Sequence, residues 1–270
     1  MKSNYHTHTL WCDGKNTPEE FVAKAIEKGF VNLGFSSHSM LPSDDWDWVL
    51  TSSKIGPYRR EILSLADKYK DRINVFLGIE ADYVPGISFP DRKTYEKLSP
   101  EYIIGSVHFV KSESGALVPV DHTPEILAKG IAEHFGGSVQ KFIRSYFAAE
   151  REMVEKFDFD IVGHVDLVRK FNARAPYFSE KDAWYLEEIE KTAESVAASG
   201  KLVEINTGAI SRKWMKDAYP SEPFFNMLSS RGVKFVLGSD AHSPEGLDES
   251  FDVFSAKYPA VEFVPERPRA

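Results

Sequence analysis

With 270 residues, 42% hydrophobic and 27% charged, the chain has ordinary globular composition, which excludes disordered, collagen-like and coiled-coil architectures. Its 33 Lys and Arg stand against 41 Asp and Glu, a formal charge of −8 that repels a phosphate backbone and disfavours a nucleic-acid partner. A lone cysteine, Cys12, excludes an internal disulfide framework, no window nears a membrane span, and Met1 to Tyr5 form no apolar signal segment, so a soluble cytoplasmic protein is expected.

Short β-like runs alternate with amphipathic helical segments. In chain order, the pattern predicts a strand over Ser3–Thr9, a helix over Glu19–Lys28, a strand over Asn32–Ser37 and a helix over Tyr58–Tyr69. Strands over Ile73–Ala81 and Tyr102–His108 follow, then a helix over Val139–Lys156 and a strand over Ile161–His164. A helix over Glu180–Ala198, a strand over Leu202–Asn206, a helix over Ser221–Ser230 and a strand over Lys234–Gly238 complete the series. Thr17 is a suitable N-cap, Pro18 fits the first helical position and Glu20 completes a capping box. Gly29, Gly200 and Gly232 fall just past helical segments, where a left-handed cap suits glycine. Such alternation argues for a mostly parallel sheet, and roughly seven strands in one unit of this length favour a closed α/β barrel, a single domain over residues 1–270. Two longer excursions, Pro85 to Pro100 and Lys111 to Gly137, are expected to act as lids or substrate walls.

Chemistry-bearing residues follow the strands. His6 and His8, two apart, point to the same side of the first strand. Asp13 lies in the loop behind it; His38 follows the second strand, Glu80 ends the third and His108 the fourth. His164 ends the next strand, and Asp240 and His242 follow the last. In an α/β barrel these C-terminal ends share one rim, where active sites are built. Taken alone, a histidine such as His38 or His108 reads more readily as a hydrogen-bonded structural group, and Glu80 or Asp240 can be a strand-end or loop charge. Their recurrence behind nearly every strand points instead to metal binding. Imidazole and carboxylate donors without thiolates suit catalytic Zn, Mn or Fe more than a structural zinc knot. Six histidines and three carboxylates exceed the needs of one ion and fit two or three ions sharing a bridging carboxylate, as in phosphoester hydrolysis.

The remaining candidates are weaker. His122 reads as a surface-loop residue before a pocket residue, and His134 as a structural group near a helix end. Cys12 lacks the His and Asn partners of a thiol nucleophile and is expected as a small buried residue. The Trp46-Asp47-Trp48 cluster fits a binding wall and a core anchor equally.

The order His6-Thr7-His8, Asp13-Gly14, His38, Gly78-Ile79-Glu80, His108, Gly163-His164-Val165-Asp166 and Asp240-Ala241-His242 resembles the polymerase and histidinol phosphatase (PHP) superfamily. Tyr5 to Thr9, Phe76 to Gly86, Gly105 to Phe109 and Val203 to Thr207 are similar to its monofunctional histidinol-phosphate phosphatases, and the likeness runs from Tyr5 to His242. The resemblance implies a distorted (β/α)7 barrel with about three transition ions, Zn, Mn or Fe. It assigns His6, His8, Glu80 and Asp240 to the first ion, Glu80 as a bridge with His108 and His164 to the second, and Asp13, His38 and His242 to the third. Many members carry histidine at the Asp13 position, so aspartate there leaves the third metal's identity open. The implied reaction is hydrolysis of L-histidinol phosphate by a hydroxide shared between ions, with Glu80, Asp240 and His242 in the catalytic centre. Arg169 and Arg212 match the family's phosphate-binding arginines, whose planar fork pairs two oxygens at once; Lys170 and Arg174 are neighbours able to take either role.

The resemblance leaves two other readings. One is a PHP phosphoesterase for another small phosphomonoester or a nucleotide; the other is a non-catalytic metal-binding module. An amidohydrolase shares the opening His-x-His strand but needs a carboxylated lysine, and Glu80 and His108 occupy the comparable strand ends. Oligomeric state is not legible in the sequence.

Overall fold

Thr17 caps the first helix as its sequence dictates: its hydroxyl accepts from the Glu20 backbone N–H while the Glu20 carboxylate accepts from the Thr17 N–H, with Pro18 in the first turn. The computed structural model describes residues 2–39 and 47–265. In chain order the elements are β1 (Ser3–Asn4), α1 (Pro18–Glu27), β2 (Asn32–Phe35), α2 (Ile55–Lys68), β3 (Asn74–Asp82) and β4 (Tyr102–Ser106). Next come β5 (Phe109–Lys111), β6 (Leu117–Pro119), α3 (Pro124–His134), α4 (Val139–Lys156), β7 (Ile161–Val162) and α5 (Ala183–Ser199). The chain continues with β8 (Leu202–Asn206), α6 (Gly208–Ser211), α7 (Glu222–Ser230), β9 (Phe235–Gly238) and α8 (Phe251–Lys257).

Seven strands form one parallel sheet in the order β1-β2-β3-β4-β7-β8-β9. The sheet curls until its edges meet: Thr7 bridges Ala241 in parallel, and the His8 N–H donates to the Ala241 carbonyl at 2.9 Å. The expected α/β barrel is therefore present, closed at its C-terminal rim by the chain beyond β1 and β9.

The predicted first strand is longer than the ladder. Asn4 turns the chain by accepting the His6 N–H on its side chain; Thr7 then bonds through its own backbone groups to Ser36 beyond β2, while the flanking His6 carbonyl and His8 N–H pair with Ala241 beyond β9. That bend carries His6 and His8 into the barrel mouth. The Lys111–Gly137 excursion is more ordered than expected, holding most of the antiparallel hairpin β5-β6 and all of α3, capped by Thr123. Gly29, Gly200 and Gly232 adopt positive φ at 74°, 69° and 80°, as their places beyond helices require.

Apolar faces of the helices pack against the outside of the sheet in one large core. A smaller cluster of Tyr5, Phe76, Tyr102, Ile104, Ile161 and Val236 packs separately, with the Tyr102 hydroxyl donating to the Tyr5 carbonyl at 2.6 Å. No helix among the described residues is long and apolar enough to cross a membrane.

Candidate metal centre

Glu80, 1% exposed on β3, is the hub of the rim. Its Oε2 lies 3.2 Å from His6 Nε2, 3.5 Å from His8 Nε2 and 3.0 Å from His38 Nδ1. Its Oε1 faces the other way, 3.1 Å from His164 Nε2 and 3.5 Å from His108 Nε2, and accepts the Ser106 hydroxyl at 2.8 Å. Asp240 Oδ1 approaches His8 Nε2 at 3.4 Å and His6 Nε2 at 3.9 Å. Asp13 sits at the outer edge, 2.9 Å from His242 Nε2 and 3.8 Å from His38 Nε2. All nine residues singled out from the sequence converge on this rim.

The electrostatics suit bound cations. Burial pushes the Glu80 carboxyl up, but His6, His38 and His108 outweigh it and hold it well below the usual carboxylate range. Asp240 is likewise held well down, with Arg212 and His6 overcoming its burial. For His8, burial and the neighbouring His38 and His242 act together, lowering it to about 3. His6 goes the opposite way, because Glu204, Glu80 and Asp240 outweigh its burial.

Buried polar atoms that no protein hydrogen bond satisfies mark where ligands fit. His6 Nε2, His8 Nε2, His38 Nδ1, His164 Nδ1 and Glu80 Oε2 are all of this kind, a costly set to leave unpaired. Among the described residues, four ligand groups have their donor atoms within 4.8 Å of one another: His8-Asp13-His38-His242, His6-His8-Glu80, Glu80-His108-His164 and His38-Asp82-His108. Nitrogen and oxygen donors in this number fit transition ions.

Two buried carboxylates escaped the sequence reading. Asp82 Oδ1 lies 2.5 Å from His108 Nδ1, and Glu204 Oε2 lies 2.8 Å from His6 Nδ1. The available signal was an acid at an inward position of an otherwise apolar strand, Glu204 between Val203 and Ile205. Cys12 is half-buried rather than buried, with Sγ 3.6 Å from His8 Nδ1.

The two arginines part company. Arg212 points at the centre, its Nη2 donating to Asp240 Oδ2 at 2.7 Å and its Nη1 lying 3.1 Å from His242 Nδ1. Arg169 does not reach it. Its guanidinium is 4% exposed and taken up by Glu180 at 2.7 Å, Asp217 at 2.6 Å and Asp166 at 3.4 Å. The next residue, Lys170, lines the cavity instead, its ammonium donating to the carbonyl and carboxylate of Asp121 at 2.9 and 2.8 Å. Arg174 turns away, over the Trp214 ring.

Above the cluster opens a cavity of about 830 Å³, lined by Asp13, His38, His108, His164, Asp240 and His242 together with Lys170 and Arg212. Its other wall combines Trp48, Phe109, Leu117 and Pro119 with Asp47, Asp121 and His122. Trp48 thus serves as a wall, edge-on to the His38 ring at 5.1 Å, and His122 lines the pocket from an exposed loop. Trp46 lies outside the described residues. His134, the last residue of α3, stays at the surface.

A seven-stranded parallel barrel with imidazoles and carboxylates gathered on its C-terminal rim is a metal-binding hydrolase architecture. The chain belongs to the PHP-domain family, whose model matches residues 4–208. It is 31% identical over 241 residues to the "Probable histidinol-phosphatase" of Deinococcus radiodurans, covering 88% of this chain and 85% of that protein. It is 24% identical to the histidinol-phosphatase of Bacillus subtilis, covering 94% and 98%. In fold it matches a candidate histidinol phosphatase of Listeria monocytogenes with a TM-score of 0.83 at 22% identity, over 94% of this chain and 100% of that one. The Lactococcus lactis histidinol phosphate phosphatase, solved with zinc, L-histidinol and phosphate, gives a TM-score of 0.69 at 21% identity, over 94% and 93%.

Proposed function

We propose that the protein hydrolyses L-histidinol phosphate to L-histidinol and inorganic phosphate, with its nine rim residues as the ligands of about three divalent transition ions. The observation that carries this reading is the division of Glu80: one carboxylate oxygen serves His6, His8 and His38, the other His108 and His164. Such a carboxylate fits a bridge between two ions. Bound there, the ions would acidify a water and neutralise charge on the phosphoryl oxygens.

The chain's own groups orient the substrate. Lys170 spends two of its three N–H donors on Asp121 and keeps one for a phosphoryl oxygen, taking the role expected of Arg169. Arg212, held on Asp240, brings a second positive charge to the cavity wall. Asp47 beside the apolar Trp48, Phe109 and Leu117 suits an ammonium- and imidazole-bearing alcohol better than a nucleotide, whose further phosphates it would repel. The lone, unpaired cysteine fits a cytoplasmic enzyme.

The experiment is phosphate release from L-histidinol phosphate with Zn²⁺ or Mn²⁺ added, beside a panel of nucleotides and sugar phosphates. L-Histidinol phosphate is expected to give the highest kcat/KM. Another phosphomonoester better by about tenfold, roughly 1.4 kcal/mol, overturns the substrate assignment. No hydrolysis by metal-replete protein favours the non-catalytic module.

A further inference from the structure

β8 is the strand from which the sequence analysis drew no rim residue, yet it sends Glu204 into the barrel at 1% exposure. The two oxygens of Glu204 serve different strands. Oε2 faces His6 Nδ1 at 2.8 Å, while Oε1 accepts the His164 backbone N–H at 2.8 Å and the Asn206 side-chain amide at 2.7 Å. Room for it comes from β9, where a Cβ on Gly238 would stand 2.3 Å from Glu204 Oε2. Asn206 extends the network by accepting the Gly208 N–H at 2.8 Å, at the start of the short helix that ends beside Arg212.

A carboxylate only accepts hydrogen bonds, so with an ion on Nε2 the remaining His6 proton would sit on Nδ1, facing Glu204. Its Nε2, buried without a hydrogen bond beside Glu80 and Asp240, is then the ring nitrogen left to take the ion. We infer that Glu204 is a positioning residue that fixes His6 in its metal-binding tautomer and ties it to the backbone of His164, linking the first ion's ligands to the second's. A buried carboxylate costs several kcal/mol of desolvation, which an apolar residue on this strand would avoid. Outer carboxylates of this kind commonly set metal affinity by tenfold or more.

The inference rests on reading the rim as a metal centre and not on the identity of the substrate. Its test is Glu204→Gln. An amide has one accepting oxygen and one donating nitrogen, so it cannot serve both His6 Nδ1–H and the His164 N–H; one side must meet donor with donor. Apo protein titrated with Zn²⁺ against a chromophoric chelator is expected to show about 10–100-fold weaker binding at the His6 site. The His8-Asp13-His38-His242 site should change by less than about twofold. A purely structural role would lower the melting temperature of the apo variant and leave zinc affinity in place, which overturns the proposal.

Should the variant fail to fold, ¹⁵N-histidine NMR of the zinc-loaded wild type decides. His6 protonated on Nδ1 and bound through Nε2 supports the inference, and the opposite arrangement overturns it. Zinc binding with the expected Glu204 dependence, but no hydrolysis of L-histidinol phosphate, would sink the substrate assignment and leave Glu204's role standing. No zinc binding by the wild type sinks both the metal centre and this inference.

Discussion

Arg212 and Asp240 form a fork-on-carboxylate pair, with Nη2 donating to Oδ2 at 2.7 Å and Nη1 to Oδ1 at 3.2 Å. The same Oδ1 faces His8 Nε2, and Asp240 itself holds a positive φ of 48°, a strained setting for a non-glycine residue. Besides the phosphate contact proposed for it, Arg212 therefore aims a metal-ligand candidate. Arg212→Ala is expected to raise KM and lower kcat, together costing on the order of 2–4 kcal/mol in kcat/KM. Arg212→Lys should recover only part, since an ammonium lacks the planar fork. Steady-state kinetics of both variants under metal-replete conditions check this, and full recovery by lysine would reduce Arg212 to a point charge.

Glu80→Gln should be worse than Arg212→Ala. A neutral amide still coordinates through its oxygen but bridges poorly, and five imidazoles around it lose their counter-charge. Both metal content and kcat are expected to fall. Elemental analysis and kinetics read the two losses separately. Full metal content with near wild-type kcat would mean that Glu80 is no bridge.

Adjacent basic residues should give opposite phenotypes. Arg169→Met leaves Asp166 fully buried without its countercharge, which should cost about 3 kcal/mol in urea unfolding. Its effect on KM should be small while the protein stays folded. Lys170→Met should do the reverse, raising KM about tenfold or more with less loss of stability, because it removes the charge-assisted phosphate contact proposed for it and leaves a carboxylate that water already reaches, at 27% exposure. A larger KM effect from Arg169 would restore it as a phosphate ligand.

These contrasts mark where sequence reasoning reached and where it stopped. The barrel was legible because its strands are short apolar runs separated by capped amphipathic helices, and the rim because metal-type residues recur at strand ends. Arg169 and Lys170 were not separable, since adjacent residues on a short 3₁₀ turn diverge by an angle that spacing alone does not supply. Glu204 and Asp82 were hidden for a related reason. Their roles depend on which imidazole nitrogen they face, and that is set by contacts between β8 and the chain just beyond β1, and between β3 and the chain just beyond β4.

Glu150 supplies a prediction about stability rather than catalysis. It is fully buried on α4, with Oε1 accepting the Tyr146 hydroxyl at 2.8 Å and Oε2 without a partner. Burial pushes its carboxyl well above the usual range, the Tyr146 bond opposes that, and the nearby Asp166 charge adds to it. The folded protein therefore keeps a proton on Glu150 that the unfolded chain releases above about pH 4.3. With more protons bound in the folded state, stability from this group is present at low pH and is lost as pH rises through that window. Glu150→Gln keeps the acceptor for Tyr146 and cannot ionise. The variant should match the wild type near pH 4 and become the more stable of the two toward pH 8, the gap growing by about 1.4 kcal/mol per pH unit until the native carboxyl ionises. Urea unfolding of both proteins across this range measures the difference, in which the pH dependence of metal binding cancels. A gap that stays flat with pH would mean that Glu150 is ionised in the folded protein and has found a compensating partner.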